Sequence, residues 1–127
     1  KMFQLQTRRI YEEPKETDGA RIFVDRLWAR GVKKEDAHLT LWLKEAAPSN
    51  ELRKWFHAHA DAFSAFADQY MNELEANDDR EEIIEKVKIL LKKENVTLLY
   101  ASKDPLHNNA VVLKEWLYKK FVRKENA

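Results

Sequence analysis

Hydrophobic and polar positions along this chain switch between two periods, and the switches mark its elements. Near the start, Phe3, Leu5 and Ile10 stand among polar neighbours, which predicts a strand of about four to six residues within 3–10. Residues 11–20 read as a loop, with Pro14 and the Asp18-Gly19 turn signal. That link is short for a parallel crossover, so the pairing of the first two strands stays open. Ile22-Phe23-Val24 is a continuous apolar run leading straight into Asp25-Arg26, the profile of a buried strand that delivers charge at its carboxyl end.

Gly31-Val32 ends the exit loop of that strand, and residues 33–38 predict one or two helical turns. Residues 39–43 alternate like a strand but continue into the helix formers Lys44-Glu45-Ala46-Ala47, leaving both readings open until Pro48 stops the segment. Ser49 is a suitable N-cap for a helix opening Asn50-Glu51-Leu52. Phe63, Phe66, Ala67, Tyr70, Met71 and Leu74 recur at three- and four-residue spacing, and Ile83, Ile84, Val87, Leu90 and Leu91 repeat it. Two amphipathic helices follow, separated by Asn77-Asp78-Asp79. Val96 to Ala101 is a second unbroken apolar run, closed off from the preceding helix by Asn95 and expected to be buried on both faces. A last helix follows Ser102-Lys103-Asp104-Pro105, with Asp104 expected as its N-cap. Ala110, Leu113 and Leu117 mark its inner face, and Lys119, Lys120, Arg123 and Lys124 make its end basic. The alternation of strand and helix predicts an α/β fold over residues 1–127: a single three-layer domain, with a small, mainly parallel sheet and helices on its faces.

Composition narrows the function classes. A chain of 127 residues suits one domain with its own core. A formal net charge of +1 creates no global field for nucleic acid or an anionic membrane. There are no cysteines, which removes disulfides, thiolate metal sites and thiol nucleophiles and fits a reducing cytoplasm, the expected location. No apolar run approaches the length of a membrane helix. With two glycines the chain has no Gly-rich phosphate loop and no dinucleotide fingerprint, and no cofactor is expected. His57-Ala58-His59 lacks a carboxylate at helical spacing and reads as a helix end, so no metal site is expected.

The candidate chemistry lies where the two apolar runs stop. If the strands are parallel neighbours, Asp25, Arg26 and Arg30 emerge on the same sheet edge as Lys103, His107 and Asn108, the edge at which open α/β sheets bind ligands. Arg26 and Arg30 are expected to grip a small anion bidentately, a phosphate, nucleotide or carboxylate, with Lys103 and Asn108 alongside. His107 is the candidate proton carrier and Asp25 its orienter or the base. Asp25, Arg26 and His107 should therefore converge. The competing reading makes these charges structural ion pairs. An alternative function of a different class is a non-catalytic nucleic-acid or protein binding module, using the basic C-terminal helix and exposed tryptophans among Trp28, Trp42, Trp55 and Trp116. Oligomeric state is not legible.

Several blocks also resemble a known family. Arg9-Ile10-Tyr11, Asp18-Gly19-Ala20-Arg21, Val24-Asp25-Arg26-Leu27-Trp28-Ala29-Arg30-Gly31, Trp42-Leu43-Lys44, Ala47-Pro48-Ser49, Leu52-Arg53-Lys54-Trp55-Phe56 and Val96 to Ala101 stand in order, followed by Asp104, His107-Asn108 and Ala110-Val111-Val112-Leu113. Together they are similar to the domain-of-unknown-function 488 family, in its YeaO-like bacterial branch. The resemblance implies a small cytoplasmic α/β domain without an established activity. Many broader members carry a Cys-His-Arg run where Asn108-Asn109-Ala110 stands here. A mechanism built on that cysteine is closed to this chain.

Overall fold

A computed structural model describes residues 2–125, with side chains as far as Val122. Four strands, β1 (Leu5–Arg9), β2 (Ala20–Phe23), β3 (Leu41–Trp42) and β4 (Val96–Tyr100), form one sheet in the order β1-β4-β2-β3. All pairings are parallel. The question left open by the short first link resolves simply: β1 and β2 are not neighbours, because β4 lies between them. Its five residues are all buried, as its unbroken apolar run predicts.

Among the described residues, five α-helices complete the fold: α1 (Lys34–Ala37), α2 (Asn50–Ala58), α3 (Phe63–Ala76), α4 (Arg80–Leu91) and α5 (Asn109–Glu125). The period-two alternation of β2 and β4 sorts their side chains between two layers. Ala20, Ile22, Val96, Leu98 and Tyr100 pack with the inner faces of α2 to α5, including Phe66, Tyr70, Ile83, Val87, Leu113 and Leu117. Phe23 and Leu99 face the other way, against Ile10, Ala29, Ala37 of α1 and the half-buried Trp28 and Trp42. One face is thus covered by the long helices. The other is covered by loops and the single turn of α1. The ambiguous segment at 39–43 is a two-residue edge strand, after which Lys44–Ala46 makes a tight 3-10 turn. Among the described residues no helix is long and apolar enough to cross a membrane.

One expectation fails at the start of α5. Asp104 is not its N-cap. The Asp104 carboxylate accepts the amides of Leu106 and His107, closing a local turn. The helix begins at Asn109, with the Asn108 side chain accepting the amide of Val111 at 3.0 Å. Both side chains are sound capping groups, and the chain uses them in succession.

At the opposite edge of the sheet the strand starts are pinned by two features. Buried Asp18 pairs with Arg8 and with buried Arg21. Asn95 accepts the amide of Gln4 on its side chain and that of Ala20 on its carbonyl. Gly19, at φ +62° and ψ −132°, fits between them only because it lacks a Cβ, which would collide with the Asn95 carbonyl. Gly31 also has positive φ, +80°, but faces open space. Gly31→Ala should therefore cost about 1–2 kcal/mol, the price of left-handed backbone alone. Gly19→Ala should cost clearly more, read as the difference in urea midpoints. Equal losses at the two positions would contradict the packing of Gly19 against β4.

Candidate active site

The parallel register of β2 on β4, with Phe23 opposite Leu99, brings both strand exits to the same edge. Asp25, just beyond β2, is held there from three sides. One carboxylate oxygen accepts the Ala101 amide at 3.1 Å and the other accepts the Asn109 side-chain amide at 2.9 Å. Asn109 also donates to the Val24 carbonyl, and the Trp42 indole donates to the Asp25 carbonyl at 2.7 Å. Asp25 thus ties the ends of β2, β3 and β4 to the first turn of α5. Burial pushes its carboxyl above the ordinary value of 3.8, against the Asn109 and Ala101 hydrogen bonds and the charge of Arg53, which pull it down.

Asp25 lines a cavity of about 570 Å³. Its floor is the sheet edge and the start of α5, and its wall is one face of α2. Arg53, Phe56 and His57 line it from one side of that helix, at spacings of three and one residues, and Ala60 lines it just beyond the helix end. The lip is the segment around Pro48, clamped from several directions. Arg26 donates to the carbonyls of Pro48 (3.0 Å) and Ala47 (3.4 Å), and Glu73 accepts both the amide and the hydroxyl of Ser49. The Tyr70 hydroxyl donates to the Ala46 carbonyl from full burial, which raises its pKa well above the usual phenol value.

Asp25, Arg26 and His107 do converge on this cavity, together with Lys103. His107 lies on the rim, half exposed, with Nδ1 at 2.9 Å from the Asp104 carboxylate and its ring edge-on to Phe63. The hydrogen bonds from the Leu106 amide and His107 hold the Asp104 carboxyl below the ordinary range. Two expectations need correction. Arg30 is exposed and is not among the cavity-lining residues; its carbonyl accepts the Tyr11 hydroxyl on the turn at Gly31, away from Arg26. Asn108 borders the cavity but is buried with its side chain committed, accepting from Val111 and donating to the Asp104 carbonyl.

The residues that replace them are Arg53, Arg9 and Asn109. Arg53 has one weak hydrogen bond, to Asn50 at 3.4 Å, and its Nε is buried without a partner. Its spacing to Phe56 and His57 was the sequence signal for it. Arg9 donates from the far edge strand to the carbonyls of Ala101 and Ser102, and its guanidinium stacks on Tyr11. Of the groups available to the alternative binding reading, Trp116 is buried, while Lys119 and Lys120 pair with Glu115 and Glu75. The side chains of Arg123 and Lys124 lie outside the described residues.

The family model described as "Inactive DUF488-N3 subclade" matches residues 4–127. The chain is 42% identical to the uncharacterized protein YeaO of Escherichia coli over 113 residues, covering 89% of this chain and 96% of that one. It is 34% identical over 109 residues to the uncharacterized proteins Mb3100c of Mycobacterium bovis and Rv3073c of Mycobacterium tuberculosis, covering 86% of this chain and 89% of each. No solved structure matches.

The raised Asp25 carboxyl has a definite sign in stability. The folded state binds this proton more tightly than the unfolded chain, so the contribution is fullest below the ordinary value and is lost as pH rises through the folded one. Urea midpoints of the parent and Asp25→Asn, measured between about pH 4 and 7, should therefore shift against the parent as pH rises. A difference that stays constant with pH would mean that Asp25 is not strained by burial.

Proposed function

The chain belongs to the DUF488 family, within its inactive N3 subclade, and on that premise we propose that it binds a small anion at the carboxyl edge of its sheet without converting it. The observation that carries this reading is Arg53. It is a guanidinium on the wall of a cavity, with a buried Nε that no protein group satisfies. Guanidinium donors left unpaired out of water are costly unless something occupies them. A phosphate or carboxylate bound between Arg53 and Arg26 accepts those hydrogen bonds and takes advantage of the positive end of α5, whose first residues border the cavity.

Binding without turnover fits the remaining groups. Asp25 has both oxygens occupied by fixed donors, which suits an architectural and orienting carboxylate better than a free base. His107 shares its Nδ1 with Asp104 on the rim. The chain has no cysteine to act as nucleophile, and the family model it matches is described as inactive.

Isothermal titration with phosphate and with sulfate tests the proposal. The parent protein should show saturable binding, and Arg53→Ala should weaken it by about tenfold or more, the loss of one charge-assisted hydrogen bond, while leaving the urea midpoint nearly unchanged. Arg26→Ala should lose both affinity and stability, since Arg26 also holds the Pro48 carbonyl. An Arg53→Ala variant that binds these anions as well as the parent would overturn the assignment.

A further inference from the structure

A bare phosphate uses only a small part of the space beside Arg53. The cavity of about 570 Å³ falls in the size class of sites for whole metabolites. Its lining mixes two chemistries. Guanidinium groups come from Arg9, Arg26 and Arg53. Three residues along α2 from Arg53 the lining is aromatic: Phe56, half-buried, is stacked on the buried Phe66 at 4.2 Å and 15° between ring planes. The ring face of Phe56 turned from Phe66 would accept a flat ring in the same way. Asp25 lines the same cavity. Each of its oxygens takes one protein hydrogen bond, whereas an ionised carboxylate has about four acceptor sites. The spare capacity suits an N–H or O–H donor on the ligand.

Charge fixes the anion. Among the described residues, Arg9, Arg26, Arg53 and Lys103 line the cavity against Asp25 and Asp104, leaving an excess of two positive charges with the histidines neutral. This matches the dianion of a phosphate monoester. A triphosphate carries more charge, and sites for it are usually built on Gly-rich backbone cradles, which a chain with two glycines does not provide. Resting on the anion-binding reading above, we infer that the ligand is a nucleoside monophosphate. Its phosphate lies at Arg53 and Arg26, its base lies on Phe56, and a donor of its sugar or base meets Asp25.

Calorimetric titration of the whole chain with inorganic phosphate, ribose 5-phosphate, adenosine and each of the four common ribonucleoside monophosphates tests this. Stacking of a base on an aromatic side chain is worth roughly tenfold or more in affinity. At least one monophosphate should therefore bind about tenfold more tightly than ribose 5-phosphate and inorganic phosphate, and more tightly than adenosine. Phe56→Leu keeps an apolar side chain against Phe66. It should reduce that nucleotide to the level of ribose 5-phosphate, a loss clearly larger than any change in the affinity of inorganic phosphate for the same variant. Phosphate binding with no gain from the base would overturn the nucleotide inference and leave the anion site standing. Adenosine binding as tightly as its monophosphate would also overturn it. Failure of every phosphorylated probe, inorganic phosphate included, would remove the anion site itself.

Discussion

A strand buried on both faces has no water to turn to, so all of its backbone groups must be satisfied by its neighbours. In this protein that strand is β4, and the rest of the structure follows from how its demand is met. β1 and β2 both run parallel to it, in registers fixed by Leu5 and Ala20 opposite Val96. Parallel pairing sends all the carboxyl ends one way. Asp25, Ser102 and Arg9 reach the same edge for this reason, although they lie far apart in the chain. The hydrogen bond from the Ala101 amide to Asp25 continues the ladder by one step beyond the strand, with a side chain in place of a carbonyl.

The site is therefore a product of sheet geometry and is reinforced by the side chains around it. Trp42 fixes the backbone of Asp25, Asn109 fixes its carboxylate, and Glu73, Tyr70 and Asn77 hold the 45–49 segment that forms the lip. These groups are largely removed from solvent, so each polar contact is worth more than its counterpart on the surface. Arg53 is the exception, a cation on the wall with little to hold it.

Much of this was legible in the chain. The two unbroken apolar runs were both central strands, the 63–74 and 83–91 stripes were both helices, and Ser49 does cap α2, accepting the Leu52 amide. The convergence of Asp25, Arg26 and His107 followed from expecting those runs to pair in parallel. The failures have physical reasons. Asp104 and Asn108 are equivalent as caps, and sequence spacing does not say which of two good caps starts a helix. Arg30 stood near Arg26 in the chain, but the turn at Gly31 carries it off, while Arg53 reached the cavity from a helix whose position depends on tertiary packing alone. Strand order is likewise non-local: nothing near Leu5 announces that its partner is Val96.

That strand order also governs how the chain acquires its shape during synthesis. The middle of the sheet is encoded last. β1 and β2 are made early, yet neither pairs with the other, and both wait for β4, some ninety residues after β1. Nearly all the sheet's contacts are thus of high sequence separation, which slows folding. Until residue 100 has left the ribosome, Ile22 and Phe23 have only the two-residue β3 to lie against, and the nascent chain carries an apolar segment whose other edge is unpaired. Such a segment is a hazard for misassociation. The surrounding charges, Arg21 before it and Asp25-Arg26 after it, flank that segment as gatekeepers. Asp25 and Arg26, which line the cavity in the finished protein, thereby also flank the apolar run of the unfinished one.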